Sequence, residues 1–154
     1  NEDGVSLERC FYDGEVFVME DEVDGKKVNK ISDDAFANCN FKQIILGDNV
    51  KEIGGYAFRS SDIEYLIIPD GVTKIGGGLF YATDIAWVVV PASVTEFGSC
   101  NFTYSTDCVI FLELEYIPKG WNERWNDSGS DEEPAIYYFK YEWHYENGIP
   151  VLNK

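Results

Sequence analysis

The sequence predicts a right-handed, β-rich solenoid with four 22-residue units, one short strand per unit along a concave face, and short helical or 3₁₀ turns between strands. Three observations lead there. Shifting the chain against itself by 22 residues places Phe36, Phe58, Phe80 and Phe102 in one column. The same shift aligns Val28, Val50, Val72 and Val94, then Ile31, Ile53, Ile75 and Phe97. It also superposes the pairs Ile44/Leu46, Leu66/Ile68, Val88/Val90 and Ile110/Leu112, and that many columns do not recur by chance. A unit of this size cannot bury its apolar edges alone, so each must stack on the next.

The flank at residues 1–27 reads as a β-hairpin cap. Cys10-Phe11-Tyr12 and Glu15-Val16-Phe17-Val18 bracket Asp13-Gly14, while Glu22-Val23 and Lys26-Lys27-Val28 bracket Asp24-Gly25. Aspartate followed by glycine between apolar runs is the chemistry of a two-residue hairpin turn. Residues 28–112 hold the repeats. Leu66-Ile67-Ile68 is a β-branched run stopped by Pro69, and Val72 and Ile75 put two side chains inward from a second extended segment. Gly76-Gly77-Gly78 then permits a turn with positive φ. The stretch around Ala35-Phe36 or Ala57-Phe58 is too short for an ordinary helix, so one helical or 3₁₀ turn is expected to drop the phenylalanine inward. Residues 113–154 lose the repeat and carry Trp121, Trp125, Tyr137, Tyr138, Phe139, Trp143 and Tyr145, enough aromatic area to seal an open end. The three segments are expected to form one structural domain.

Ile68-Pro69-Asp70-Gly71-Val72-Thr73-Lys74-Ile75-Gly76, together with Asp34-Ala35-Phe36-Ala37-Asn38-Cys39, resembles the unit of the BspA-like class of bacterial leucine-rich repeat proteins. The resemblance runs from Val28 to Leu112. It extends into the tail, where Pro118-Lys119-Gly120-Trp121-Asn122, Trp143-His144-Tyr145 and Asn147-Gly148-Ile149-Pro150 are similar to terminal elements of that family in gut Firmicutes. The resemblance implies a secreted or surface-attached protein, in a family with adhesion or protein binding proposed for some members and no activity common to all.

Charge narrows the partners. Twelve Lys and Arg against 28 Asp and Glu leave a formal charge of −16, which repels nucleic acid and anionic membranes at moderate salt. No apolar run is long enough for a spanning helix, so membrane insertion is not expected. Catalytic machinery is thin. The only histidine, His144, sits between Trp143 and Tyr145 and reads as a member of an aromatic cluster, and Asp62 with Glu64 is a pairing expected by chance among 28 acids. No enzyme, cofactor or metal centre is predicted. The acidic loop at 126–133, with Asp127, Asp131, Glu132 and Glu133, matches no calcium-loop spacing and reads as a solvated connector. Cys10, Cys39, Cys100 and Cys108 are too dispersed for a disulfide scaffold and are expected to be unpaired. Asn101 and Asn126 head formal glycosylation sequons, but Phe102 is a core position.

Strand alternation locates the candidate site. Residues eight and ten after each phenylalanine point inward, so those seven and nine after it face outward onto the concave sheet. That outward set is Gln43, Ile45, Tyr65, Ile67, Trp87, Val89, Val109 and Phe111, and seven of the eight are apolar or aromatic. Such a face needs a cover. One reading is that the protein covers the face itself, with a terminal hairpin, a second copy or a neighbouring domain. Alternatively the strip binds a protein partner such as a host surface or matrix protein, or stacks on a glycan, with Tyr65 and Trp87 as anchors. A binding module and a structural spacer of a surface protein are the two function classes that follow.

Overall fold

The computed structural model describes residues 4–105, 107–129 and 133–154. The chain coils as a β-solenoid of about five turns, with no helix among the described residues. The strands in chain order are β1 (Val5–Leu7), β2 (Val16–Val18), β3 (Glu22–Val23), β4 (Lys26–Ile31), β5 (Gln43–Ile45), β6 (Glu52–Ile53) and β7 (Tyr65–Ile67). They continue with β8 (Lys74–Ile75), β9 (Trp87–Val90), β10 (Glu96–Phe97), β11 (Val109–Leu112), β12 (Ile136–Tyr138), β13 (Trp143–Glu146) and β14 (Ile149–Leu152). One parallel sheet has the order β1-β4-β6-β8-β10 and is prolonged by a bridge from Phe97 to Trp121. The other has the order β12-β11-β9-β7-β5-β2.

Between the sheets lies a continuous apolar core that repeats by rung. Ile44, Leu66, Val88 and Ile110 point into it from one wall, and Ile31, Ile53, Ile75 and Phe97 from the other. Phe36, Phe58, Phe80 and Phe102 form a stack through its length, all fully buried, with successive ring centroids 5.2, 5.7 and 5.6 Å apart. The inward register therefore follows the alternation expected of each strand.

The connections around the phenylalanines are not helical. In each, a left-handed residue stands two places before and two places after Phe: Asp34 and Asn38, Tyr56 and Ser60, Gly78 and Ala82, Cys100 and Tyr104. These conformations cost non-glycine residues about 1 kcal/mol or more each. What they gain is that alternate N–H groups turn toward the next rung. Asp34, Phe36 and Asn38 donate to the carbonyls of Gly55, Ala57 and Arg59 at 3.0, 2.8 and 2.9 Å, and the pattern recurs at each later turn. A helical turn would direct those donors along its own backbone and leave the stacked carbonyls unpaired. A buried hydroxyl column completes the seam: Thr83 donates to the Phe58 carbonyl at 2.7 Å and Ser105 to the Phe80 carbonyl at 2.6 Å.

The positive φ expected of Gly76-Gly77-Gly78 falls on Gly78, whereas Gly76 and its repeat equivalents Gly54 and Gly98 have no positive φ and serve another purpose. A Cβ at Gly76 would lie 2.4 Å from the backbone nitrogen of Gly55 in the preceding rung, and one at Gly98 just as close to that of Gly77. Glycine is required there for the close approach of two backbones.

The N-terminal flank departs from expectation at one turn. The Asp24-Gly25 hairpin forms, joining β3 to β4 with both turn residues at positive φ. The Asp13-Gly14 hairpin does not: β2 pairs in parallel with β5, and β1 in parallel with β4, so residues 5–18 form another coil of the solenoid. Phe17 packs on Phe36 and Phe41, and that burial outweighs the local turn preference. At the other end β12 extends the second sheet beside β11, and β13 and β14 make an antiparallel hairpin through Asn147-Gly148.

Candidate functional site

Sheet pairing assembles the outward residues into two columns. Val16, Gln43, Tyr65, Trp87, Val109 and Ile136 stand in register in the first, and Val18, Ile45, Ile67, Val89, Phe111 and Tyr138 in the second. All eight residues expected on this face lie on it. The structure adds Val16, Val18, Ile136 and Tyr138, which the flanking strands bring into the same columns. The run Val16-Phe17-Val18 carries that signal in sequence, but the hairpin chemistry of Asp13-Gly14 points it away from its parallel partner β5.

Tyr65 and Trp87 are half-buried and stacked, with centroids 4.6 Å apart and planes 15° from parallel. Each ring shields one face of the other, and Trp87 also packs against the cluster of Val89, Phe111 and Trp143. The second column changes character halfway along. Val18, Ile45 and Ile67 are 60%, 49% and 41% exposed, whereas Val89 and Phe111 are 1% and 6% exposed.

The cover over Val89 and Phe111 is the C-terminal hairpin. Trp143 packs its indole against Phe111 at 5.3 Å and donates its Nε1–H to the Leu112 carbonyl at 3.1 Å. Tyr138 stacks on Phe111 from the neighbouring strand at 6.2 Å. Alternation along β13 puts Trp143 and Tyr145 on the sheet side and His144 on the other. His144 is therefore exposed and not a member of the aromatic cluster expected around it. Its ring bonds Asn153 at 2.7 Å and Glu146 at 3.1 Å, and these two contacts, Asn153 foremost, raise its pKa.

Electrostatics at the hairpin rim are unfavourable for a buried acid. Partial burial, and then the charge of Asp70, raise the Glu113 carboxyl above its ordinary value. Burial also pushes the Tyr145 phenol up to about 12, with Glu113 and Asp70 adding to the effect. Along the opposite rim, at the starts of the strands, a polar groove is lined by Lys42, Asp62, Glu64 and Asp84, so three of its four charged groups are acidic. At the N-terminal end of the solenoid a largely apolar cleft of about 610 Å³, lined by Val5, Leu7, Phe17, Met19 and Val28, joins the outer face at Val18.

Other candidates are placed as follows. No group of three or more His, Cys, Asp or Glu residues able to hold a metal occurs among the described residues. Asp127 of the acidic loop pairs with Arg124 at 2.5 Å, while Asp131 and Glu132 lie outside the described residues. Asn101 is fully buried, its side chain accepting from the Leu79 N–H and donating to the Gly98 and Trp125 carbonyls. All four thiols are free. No described helix is long and apolar enough to cross a membrane.

No curated protein and no solved structure gives a significant match to the chain. The sequence model of the BspA type leucine rich repeat region matches residues 19–109 in six copies, where self-alignment yields four units over residues 28–112. That match covers more than half of the chain and coincides with the stacked rungs, whose apolar strands, glycine column and Ala-Phe turns are the repeating features seen here. The protein belongs to the BspA-type leucine-rich repeat family.

Proposed function

We propose that the protein is an extracellular or cell-surface binding module whose recognition surface is the uncovered half of the outer face. Residues 28–112 supply most of that surface and Val18 of the first flank prolongs it, while the flanks 1–27 and 113–154 close the two ends of the solenoid. Membership of a leucine-rich repeat family supports a protein-interaction or structural repeat module, and scaffolds of this kind are typically not enzymes. The observation that carries the finer reading is the exposed apolar row Val18, Ile45 and Ile67 beside the Tyr65–Trp87 stack. The solenoid core is already filled from the opposite side of the same strands, so this row is not needed for folding. Large aromatic rings at the centre of an apolar strip are the usual energetic anchors of protein interfaces. With Asp62, Glu64 and Asp84 along one rim, the partner that fits is a protein segment with apolar side chains flanked by basic ones.

The test is binding of the full chain to a panel of purified extracellular-matrix proteins and to a glycan array, at two salt concentrations. Saturable binding that weakens with salt, and that Trp87→Ala reduces about thirtyfold, equivalent to about 2 kcal/mol, is the expected result. Burial of Val89 and Phe111 under Trp143 favours a second reading, in which the face is mostly self-covered and the chain is a structural spacer. Absence of binding across the panel, with Trp87→Ala lowering only stability, would establish the spacer and overturn the binding module. Glycan binding without protein binding would keep the surface and change its ligand class.

A further inference from the structure

The first coil differs from its neighbours at the position beneath the phenylalanine stack. Phe36 donates its N–H to Ala57, and one rung earlier Cys10 donates its N–H to Ala35, the residue equivalent to Ala57, at 2.8 Å. Cys10 therefore occupies the place in its coil that Phe36 occupies in the next. Cys39 heads the column continued by Ser61, Thr83 and Ser105. Thr83 and Ser105 each direct their hydroxyl at the carbonyl of the phenylalanine one rung below, and Cys39 directs its Sγ at the carbonyl of Cys10, 3.7 Å away. The repeat geometry thus brings the two cysteines, 29 residues apart in the chain, side by side. Cys39 is buried, while Cys10 packs against the core and keeps partial access to solvent. Cys100 and Cys108 belong to a different rung.

We propose that Cys10 and Cys39 form a disulfide on exposure to a small-molecule disulfide, stapling the first coil to the Ala-Phe turn of the second. The step is a thiol–disulfide exchange in two stages. The more accessible Cys10 loses its proton to solvent and attacks one sulfur of the oxidant, giving a mixed disulfide and releasing one small thiol. Cys39 then loses its proton and attacks the Cys10 sulfur, forming the protein disulfide and expelling the second small thiol. Two protein thiols are oxidised and one small-molecule disulfide is reduced to two thiols. Burial, and then the adjoining Cys10 thiol, push the Cys39 thiol up to about 11, so the second stage is the slow one at neutral pH. Its rate should rise about tenfold per pH unit below that value. Cys108 is buried and its thiol is raised further by desolvation, which keeps it out of this exchange.

The experiment equilibrates the full chain with glutathione disulfide at several pH values, quenches with an alkylating agent, and maps peptides without reduction. The expected result is a linked peptide pair containing Cys10 and Cys39, with loss of two hydrogens from the intact mass. Closure should accelerate with pH, and the melting temperature should rise by about 5 °C or more, reversed by reductant. The link should be absent in Cys10→Ser and retained in Cys100→Ser. Cys10→Ser serves as the folding control, because its circular dichroism under reducing conditions should match the reduced parent. Recovery of Cys10 and Cys39 on separate peptides after equilibration at high pH, or a link to Cys100 instead, would overturn the proposal.

Discussion

Replacing Trp143 with alanine separates the cover of the sheet from the solenoid beneath it. The indole is nearly fully buried, seated on Phe111 and bonded to the Leu112 carbonyl. An indole of this kind buries about 200 Å², which at about 25 cal/mol per Å² corresponds to about 5 kcal/mol, close to the 3–5 kcal/mol found for large-to-small changes at buried aromatics. The loss falls on the docking of β13 and β14, since these two strands pair only with each other and rest on the sheet through Trp143. The hairpin should therefore detach while the coils persist. Val89 and Phe111 then join Ile45 and Ile67 as one exposed apolar strip. The assay is fluorescence of a hydrophobic dye together with limited proteolysis and thermal melting. Dye binding should increase several-fold, cleavage should concentrate within residues 139–154, and the main unfolding transition should shift by less than about 1 kcal/mol. A large fall in the main transition, with no gain in dye binding, would refute the distinction between cover and core.

Three further outcomes follow from the rungs. Phe58→Ala, in the middle of the buried stack, should cost about 3–5 kcal/mol in chemical denaturation, because fixed rungs above and below cannot close the cavity; a loss under about 1 kcal/mol would contradict the core assignment. Gly76→Ala should destabilise by about 1–3 kcal/mol through contact with the Gly55 backbone, and a neutral effect in the same assay would show that the rungs can separate freely. The folded state holds the Glu113 proton more tightly than the unfolded chain does. Its penalty is therefore absent below the ordinary carboxyl value, appears as pH rises toward the raised value, and is complete above it. Glu113→Gln should accordingly raise the melting temperature at neutral pH and lose that advantage in acid; parallel melting curves for the two proteins across pH would exclude this.

Period and alternation carried most of the fold. The phenylalanine column, the inward pairs such as Leu66 and Ile68, and the outward set from Gln43 to Phe111 all follow from side-chain direction along a strand, which a sequence displays directly. What failed were readings that depend on neighbours in space. Asp13-Gly14 has hairpin chemistry, yet β2 finds a better partner in β5 because Phe17 can then pack on Phe36 and Phe41. Length alone suggests that the turns around each phenylalanine are helical. Their donors serve the next rung, and that requires left-handed residues such as Tyr56 and Tyr104 that no propensity rule selects. The boundary on the outer face between exposed Ile67 and buried Val89 was invisible for the same reason. It depends on where a hairpin more than 50 residues downstream comes to rest.

The identity of bonds from rung to rung means that the molecule does not register how many rungs it has. Excising Tyr56–Gly77 would join Gly55 to Gly78, set Phe80 directly on Phe36, and give each orphaned carbonyl an equivalent donor one period later. The sheet would shorten by one strand spacing, about 4.8 Å, and Trp87 would face Gln43 in place of Tyr65. An excision one residue shorter or longer would turn the strand over and send its inward side chains to solvent. Recombination in whole periods can therefore lengthen, shorten or redecorate the exposed face while leaving its two ends untouched, so the reach of the surface is set by copy number and its chemistry by the few outward letters within each copy.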